Sequence, residues 1–211
     1  MEIAIIGAGN VGQALASSST RAGHAVTICA ATPEHAAAVA REAGATAVGS
    51  NRTAVQNAEV VVLAVHTPAL DGVLGELGDA LDGKVVVDVT NRLNPDDPGA
   101  VLDGSSNAEQ IQARVPGARV VKAFNTALAA RQADPVVDGV PLDGFVAGDD
   151  AAAKGRVLEL VGSIGFRPID AGPLSMARAL EAMGVLNIML QMWNGWPWQA
   201  GWKLVGPTAP S

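Results

Sequence analysis

The chain has 211 residues, 49% of them apolar and only 17% charged, with a net charge of −7. This is a folded composition with enough length for one sizeable core, and its acidity argues against a nucleic-acid backbone or an anionic membrane surface as partner. The single cysteine, Cys29, excludes an internal disulfide. No apolar stretch approaches the ~20 residues of a membrane span, and the sequence enters a strand with no basic leader, so a cytoplasmic protein is expected.

Ile3–Ile6 is a short apolar run of the kind that forms a strand buried on both faces. Gly7, Gly9 and Gly12 follow at once in G-x-G-x-x-G spacing, and Val11, Ala14 and Leu15 open the inner face of a helix that runs to about Ala22. Each glycine has a physical task. Gly7 makes the tight turn, Gly9 lets a pyrophosphate approach the backbone, and Gly12 lets the helix pack close to the strand. Gly7, Ala8, Gly9, Asn10, Val11 and Gly12 are therefore the expected pyrophosphate loop, with the first-turn N–H groups and the positive end of the helix dipole behind it. Ala25–Cys29 is the second strand. Thr32 and Pro33 start the next helix as N-cap and first helical residue, and Gly44 stops it.

Ala45–Val48 reads as a short strand, Asn51–Asn57 as a short helix, and Val60–Val65 as a fully apolar strand. A helix over Pro68–Leu81, a strand over Lys84–Val89, a helix over Asn107–Val115 and a strand over Arg119–Ala123 follow. The alternation predicts a doubly wound, mostly parallel Rossmann sheet. Phe145–Ala147 adds a strand, Asp149–Ile164 a helix, and Phe166–Ile169 a last strand. Apolar positions are spaced helically from Pro173 to Trp193, a tryptophan-rich tail follows, and Gly206–Ser211 look frayed. The expected division is a dinucleotide-binding domain over residues 1–170 and a small helical, tryptophan-rich extension over 171–211 packed on the same unit.

Ligands of such a sheet lie outside the carboxyl ends of its strands. Ala30, Ala31 and Thr32 follow strand two, where an NAD site usually has a carboxylate and an NADP site an arginine; this chain has neither. His35 and Arg52 are the nearest substitutes, each more readily an ordinary surface residue. At Ala64, Val65 and His66 a small residue lets the nicotinamide half lie against the backbone, and His66 reads as a helix-start residue before it reads as an acid or base. Asn91 and Asn125 can fix a carboxamide by hydrogen bonds. Lys122 is either a general acid or the partner of Asp88. No nucleophile–base pair and no metal-ligand spacing among the three histidines is visible, so no catalytic side chain and no metal is assigned. The chemistry would be a cofactor's own, with the protein supplying orientation.

Ile-Ala-Ile-Ile-Gly-Ala-Gly-Asn-Val-Gly, Val-Val-Val-Leu-Ala-Val, Val-Val-Asp-Val-Thr-Asn, Val-Val-Lys-Ala-Phe-Asn-Thr, Val-Ala-Gly-Asp-Asp and Asp-Ala-Gly-Pro-Leu occur in that order. The set resembles the NADPH-dependent oxidoreductases of the deazaflavin coenzyme F420 and the related reductase domain of membrane metalloreductases. The resemblance implies a Rossmann fold with a small C-terminal extension and direct hydride transfer between NADPH and a deazaflavin or flavin-like acceptor. By position, Gly7 to Gly12 would hold the pyrophosphate. Ala64, Val65, His66, Asn91, Ala123, Phe124 and Asn125 would line the nicotinamide half and the transfer cleft.

Three departures stand out. The family commonly has Ser-Arg at Ala30-Ala31 with Lys at His35, proline at His66, and proline at Arg92. NADP is the cofactor that the resemblance implies, with NAD left open by the Ala30-Ala31 turn, and coenzyme F420 or a flavin is the expected second substrate. Arg92 either attracts an acidic coenzyme tail or is a solvated loop residue. A small imine or hydroxyacid reductase is an alternative, against which only about forty residues follow Asp170. A dinucleotide-binding protein without catalysis is another. Trp193, Trp196, Trp198 and Trp202 wall the acceptor, pack a subunit interface or staple the tail over the sheet. A homodimer is the expected assembly.

Overall fold

A computed structural model describes residues 1–206 and Thr208 of the chain, so the expected fraying of the last residues lies almost wholly outside it. In chain order the elements are β1 (Glu2–Ile6), α1 (Asn10–Arg21), β2 (Ala25–Cys29), α2 (Pro33–Ala43), β3 (Thr46–Ala47), α3 (Asn51–Val55), β4 (Val60–Leu63), α4 (Leu70–Leu77), β5 (Val85–Asp88), α5 (Asn107–Arg114) and β6 (Arg119–Ala123). Then come α6 (Ala129–Ala133), β7 (Val136–Val137), β8 (Val140–Pro141), β9 (Asp143–Gly148), α7 (Ala151–Ser163), β10 (Arg167–Gly172) and α8 (Ala177–Asn194).

Eight strands make one sheet in the order β10-β9-β6-β5-β4-β1-β2-β3. From β1 to β6 all neighbours are parallel. The result is the expected mostly parallel, Rossmann-like α/β fold. Alternate residues of each strand serve the two faces. Ile3 and Ile5 pack with Leu15, Val39 and Ala40 under α1 and α2. Ala4 and Ile6 pack with Leu70, Leu74 and Ile111 under α4 and α5. The crossovers change face at β1, which makes the carboxyl ends of β1 and β4 the switch point where such sheets open a crevice.

Several local expectations change. β9 runs antiparallel to β6, with Ala123 opposite Val146, and β10 runs parallel to β9. The segment after β6 holds only the short α6 and the β7–β8 hairpin, so it returns the chain to the end it left and β9 must run back. The hairpin turns on Asp138 and Gly139, at φ 51° and 78°, the pairing that a type I′ turn requires. The helix expected over Pro68–Leu81 is a 3-10 turn, α4 and a second 3-10 turn, broken where Gly78 takes φ 43°. α7 starts at Ala151 because the Asp150 carboxylate accepts from the Ala153 amide at 2.8 Å, while Asp149 accepts from Leu174 at 2.8 Å. Among the described residues, no helix is long and apolar enough to cross a membrane.

Candidate dinucleotide-binding site

The glycine loop joins β1 to α1 at the switch point. Gly7 has φ 113° and donates its amide to the Cys29 carbonyl at 2.8 Å. A Cβ on Gly7 would overlap the Ala64 carbonyl, and one on Gly12 would overlap the Gly7 carbonyl, so main chain closes on both. Gly9 is different: a Cβ there would meet nothing within 4 Å. It is the N-cap of α1, with no side-chain cap, and the first helical hydrogen bond runs from the Gln13 amide to its carbonyl at 2.8 Å. The amides ahead of Gln13 are left for an outside acceptor, and the space beside Gly9 is where an anion can come close enough to take them. That is a fit to a dinucleotide pyrophosphate. Burial pushes the Cys29 thiol up, as suits a packed small residue rather than a nucleophile.

At the end of β2, Ala30 is half-buried while Ala31 and Thr32 are exposed. Thr32 caps α2 through its backbone only, and Glu34 sits in the first turn. His35 reaches back, with Nε2 2.8 Å from the Ala8 carbonyl. A carbonyl only accepts, so that nitrogen carries the proton and His35 braces the glycine loop. Arg52 is committed elsewhere. It pairs with Asp79 at 2.8 Å and donates to the Glu76 carbonyl at the end of α4 at 2.9 Å, so it is no substitute phosphate clamp.

At the end of β4 the Ala64 amide continues the ladder to Ile6 at 2.8 Å. Val65 is half-buried, and exposed His66 opens the 3-10 turn Thr67–Ala69, the helix-start role expected of it. The ends of β5 and β6 settle the alternative left open for Lys122 and correct the expectation for Arg92. Lys122 is wholly buried, and its ammonium donates to Asp88 Oδ2 at 2.7 Å, Glu181 Oε1 at 2.8 Å and the Thr90 carbonyl at 2.5 Å. All three of its protons are used, so it is a structural partner and not a general acid. Arg92 is neither solvated nor reaching for a ligand. Its Nε pairs with Glu181 Oε2 at 3.0 Å, and its remaining nitrogens hold the Val101 and Asp103 carbonyls.

Asn91 and Asn125 lie together but spend their amides on each other. Asn125 Nδ2 donates to Asn91 Oδ1 at 2.8 Å and to the Leu180 carbonyl at 2.8 Å, and Asn91 Nδ2 donates to the Asn125 carbonyl at 3.0 Å. Ala123 and Phe124 are buried, and Phe124 holds φ 64°. That left-handed conformation is costly for a bulky residue, and it turns Asn125 toward α8. Glu181 and Gly184 of α8 are the site residues that sequence reasoning missed. A Cβ on Gly184 would sit against the Asn91 and Asn125 groups, so only glycine lets α8 come this close.

A cavity of about 460 Å³ lies between α4 and α5, lined by Leu70, Leu74 and Ile111 with Asn107, Thr67 and Arg114. It adjoins the end of β4 without covering the glycine loop. Of the tail tryptophans, Trp202 packs with Phe145, Ala147 and Leu180, as a staple would. Trp193, Trp196 and Trp198 remain 65%, 44% and 47% exposed. No group of three His, Cys, Asp or Glu side chains suited to a metal occurs among the described residues.

Comparison with known proteins follows the same lines. A family model described as NADP oxidoreductase, coenzyme F420-dependent, matches residues 2–92. The F420-dependent NADP reductase of Methanothermobacter marburgensis is 32% identical over 217 residues, covering 92% of this chain and 94% of that one. The metalloreductase STEAP3 of Rattus norvegicus is 33% identical over 183 residues, covering 86% of this chain and 36% of that one, so the chain spans about a third of that relative's length. A crystal structure assigned by name to the F420-dependent NADP reductases, from Arthrobacter sp. FB24, superposes with a TM-score of 0.84 at 30% identity, covering 98% of this chain and all of that one. An imine reductase of Streptomyces aurantiacus, 20% identical with a TM-score of 0.67 over 92% of this chain and 65% of its own, shares the fold alone.

Proposed function

The chain belongs to the coenzyme F420-dependent NADP oxidoreductase family, and from that premise we propose that it passes hydride between NADPH and a deazaflavin, or a flavin-like ring of the same shape. The observation that carries the reading is the space beside Gly9, at the free N-terminus of α1 and on the switch point of the sheet. The pyrophosphate rests there on first-turn amides. The adenosine half runs over Ala30, Ala31 and Thr32, and the nicotinamide half over Ala64–His66 toward Asn91 and Ala123–Asn125. When bound, NADPH supplies the hydride. The chain supplies orientation, and the ammonium of buried Lys122 is held by internal acceptors.

The missing arginine after β2 supports modest discrimination between NADPH and NADH. A homodimer is part of the proposal, and the exposed Trp193, Trp196 and Trp198 support it as a surface to be covered. The test mixes purified protein with NADPH and oxidised coenzyme F420, or with FMN, and follows the visible absorbance of the acceptor. Loss of deazaflavin absorbance is expected. Turnover with FMN alone would move the acceptor class, and turnover with neither would overturn the reading.

A further inference from the structure

One continuous polar network lies under the ends of β4, β5 and β6, and its centre is a residue of α8. Glu181 is fully buried, the one carboxylate on a helix face it shares with Ala177, Leu180, Gly184 and Val185. Its Oε1 accepts from Lys122 Nζ at 2.8 Å and from the Asn107 amide at 2.7 Å, and its Oε2 accepts from Arg92 Nε at 3.0 Å. Lys122 passes the link to Asp88 and the Thr90 carbonyl. Asp88 Oδ1 accepts from the Thr90 amide at 2.9 Å and the Thr90 hydroxyl at 2.7 Å. Asn107 Nδ2 donates to the hydroxyls of Thr90 at 2.7 Å and Thr67 at 3.1 Å, and Thr67 donates to the Asn91 carbonyl at 3.1 Å.

The four charges cancel, two cations against two carboxylates, which is how such groups can stay buried. Every strand-end loop that would face the nicotinamide is tied to this network: the turn at Thr67, the loop of Thr90 to Arg92, and the end of β6 at Lys122. The pyrophosphate loop and the end of β2 take no part in it. The network is thus confined to the strand ends along the proposed path of the nicotinamide half.

We propose that Glu181 is a positioning residue for the nicotinamide half of the bound dinucleotide: from α8 it locks the loops after β4, β5 and β6 in register with one another. The inference rests on the reading that the nicotinamide lies over those ends. It acts through the loops, without contact with the ligand. Replacing the carboxylate by an amide leaves Lys122 with Asp88 as its one carboxylate and Arg92 with none, and the Thr90–Arg92 loop is the part free to give way.

The test compares binding of NADPH with binding of 2′-phospho-ADP-ribose, which has the same adenosine and pyrophosphate and no nicotinamide. For the wild type, NADPH should bind more tightly than the analogue. Glu181→Gln should lose about tenfold or more of the NADPH affinity, with the analogue unchanged. Glu181→Asp, which keeps the charge, should recover part of the loss. If Glu181→Gln does not fold, Thr67→Val cuts the same network at its half-buried margin and should show the same selective loss.

Parallel weakening of both ligands would mark Glu181 as a general stabiliser and overturn the proposal. So would unchanged NADPH affinity, or a wild type that does not prefer NADPH to the analogue. No acceptor enters this measurement. A protein that shows the selective loss but reduces no deazaflavin keeps the positioning role and loses the proposed reaction.

Discussion

Gly9→Ala should separate ligand binding from folding, because Gly9 is the glycine of the loop whose missing Cβ faces open space. Its φ of −69° suits any L-residue. Restricting the unfolded chain favours alanine by about 0.4–1 kcal/mol, while alanine is a poorer N-cap than glycine by a comparable amount. The net change in stability should stay within about 1 kcal/mol. The added methyl, however, occupies the approach to the first-turn amides. Loss of a single charge-assisted hydrogen bond to the pyrophosphate is worth about 2 kcal/mol, or about thirtyfold in NADPH affinity. Gly12→Ala is the control. Its Cβ overlaps the Gly7 carbonyl, so it should cost about 2–3 kcal/mol of stability through main-chain displacement. Urea unfolding and an NADPH titration read by nicotinamide fluorescence measure the two quantities on each variant. A folded Gly9→Ala protein with wild-type NADPH affinity would refute the placement of the pyrophosphate. Equal loss of stability in the two variants would refute the argument from space.

Three further outcomes follow from particular contacts. Arg178 binds the Glu109 carboxylate through two nitrogens, at 2.9 and 2.7 Å, and with Ser106 holds its pKa at about 2 against an ordinary 4.5. A carboxylate with a depressed folded pKa stabilises fully above the unfolded value, and that contribution is lost as pH falls from 4.5 through about 2. The full shift would be about 3 kcal/mol, but the half-exposed guanidinium screens it to about 1. Arg178→Ala should remove that much of the acid-dependent stability in urea unfolding between those limits, and an unaltered acid limb would count against the pair. Burial alone would raise the Asp143 pKa, but Arg167, the Leu204 amide and Lys203 outweigh it and hold the carboxyl below its ordinary range. Asp143→Asn should cost about 3 kcal/mol and speed hydrogen exchange at the Leu204 amide, which donates to Asp143 at 2.7 Å; slow exchange in the variant would show that the tail is held otherwise. Ala31→Arg should raise the preference for NADPH over NADH by about tenfold, in a ratio of dissociation constants, and no change would mean that the ribose lies away from this turn.

What the sequence discloses here divides by the range of the constraint. The glycine loop is legible because each demand is local: a turn at positive φ, a close crossing of two backbones and an opening for an anion each force a residue type within six positions. The Asp88–Lys122 pair is half legible, since parallel β5 and β6 set the two side by side. Nothing local decides whether the lysine then points to solvent or inward. The Asp138-Gly139 hairpin signal was available from turn chemistry alone, and with it the antiparallel return of β9 could have been read. Glu181 is 59 residues from Lys122, and the need for it appears only once α8 is folded back across the strand ends. Its trace in the sequence is a lone carboxylate on the buried stripe of Ala177, Leu180, Gly184 and Val185, where solvent offers no reason for a charge. Such a residue requires a buried cation, and Lys122 and Arg92 are the two cations in the strand-end motifs that had no settled partner. The same stripe explains Gly184. A helix that must set a carboxylate on Lys122 has to approach the Asn91–Asn125 pair closely, and any side chain at that turn would hold it off.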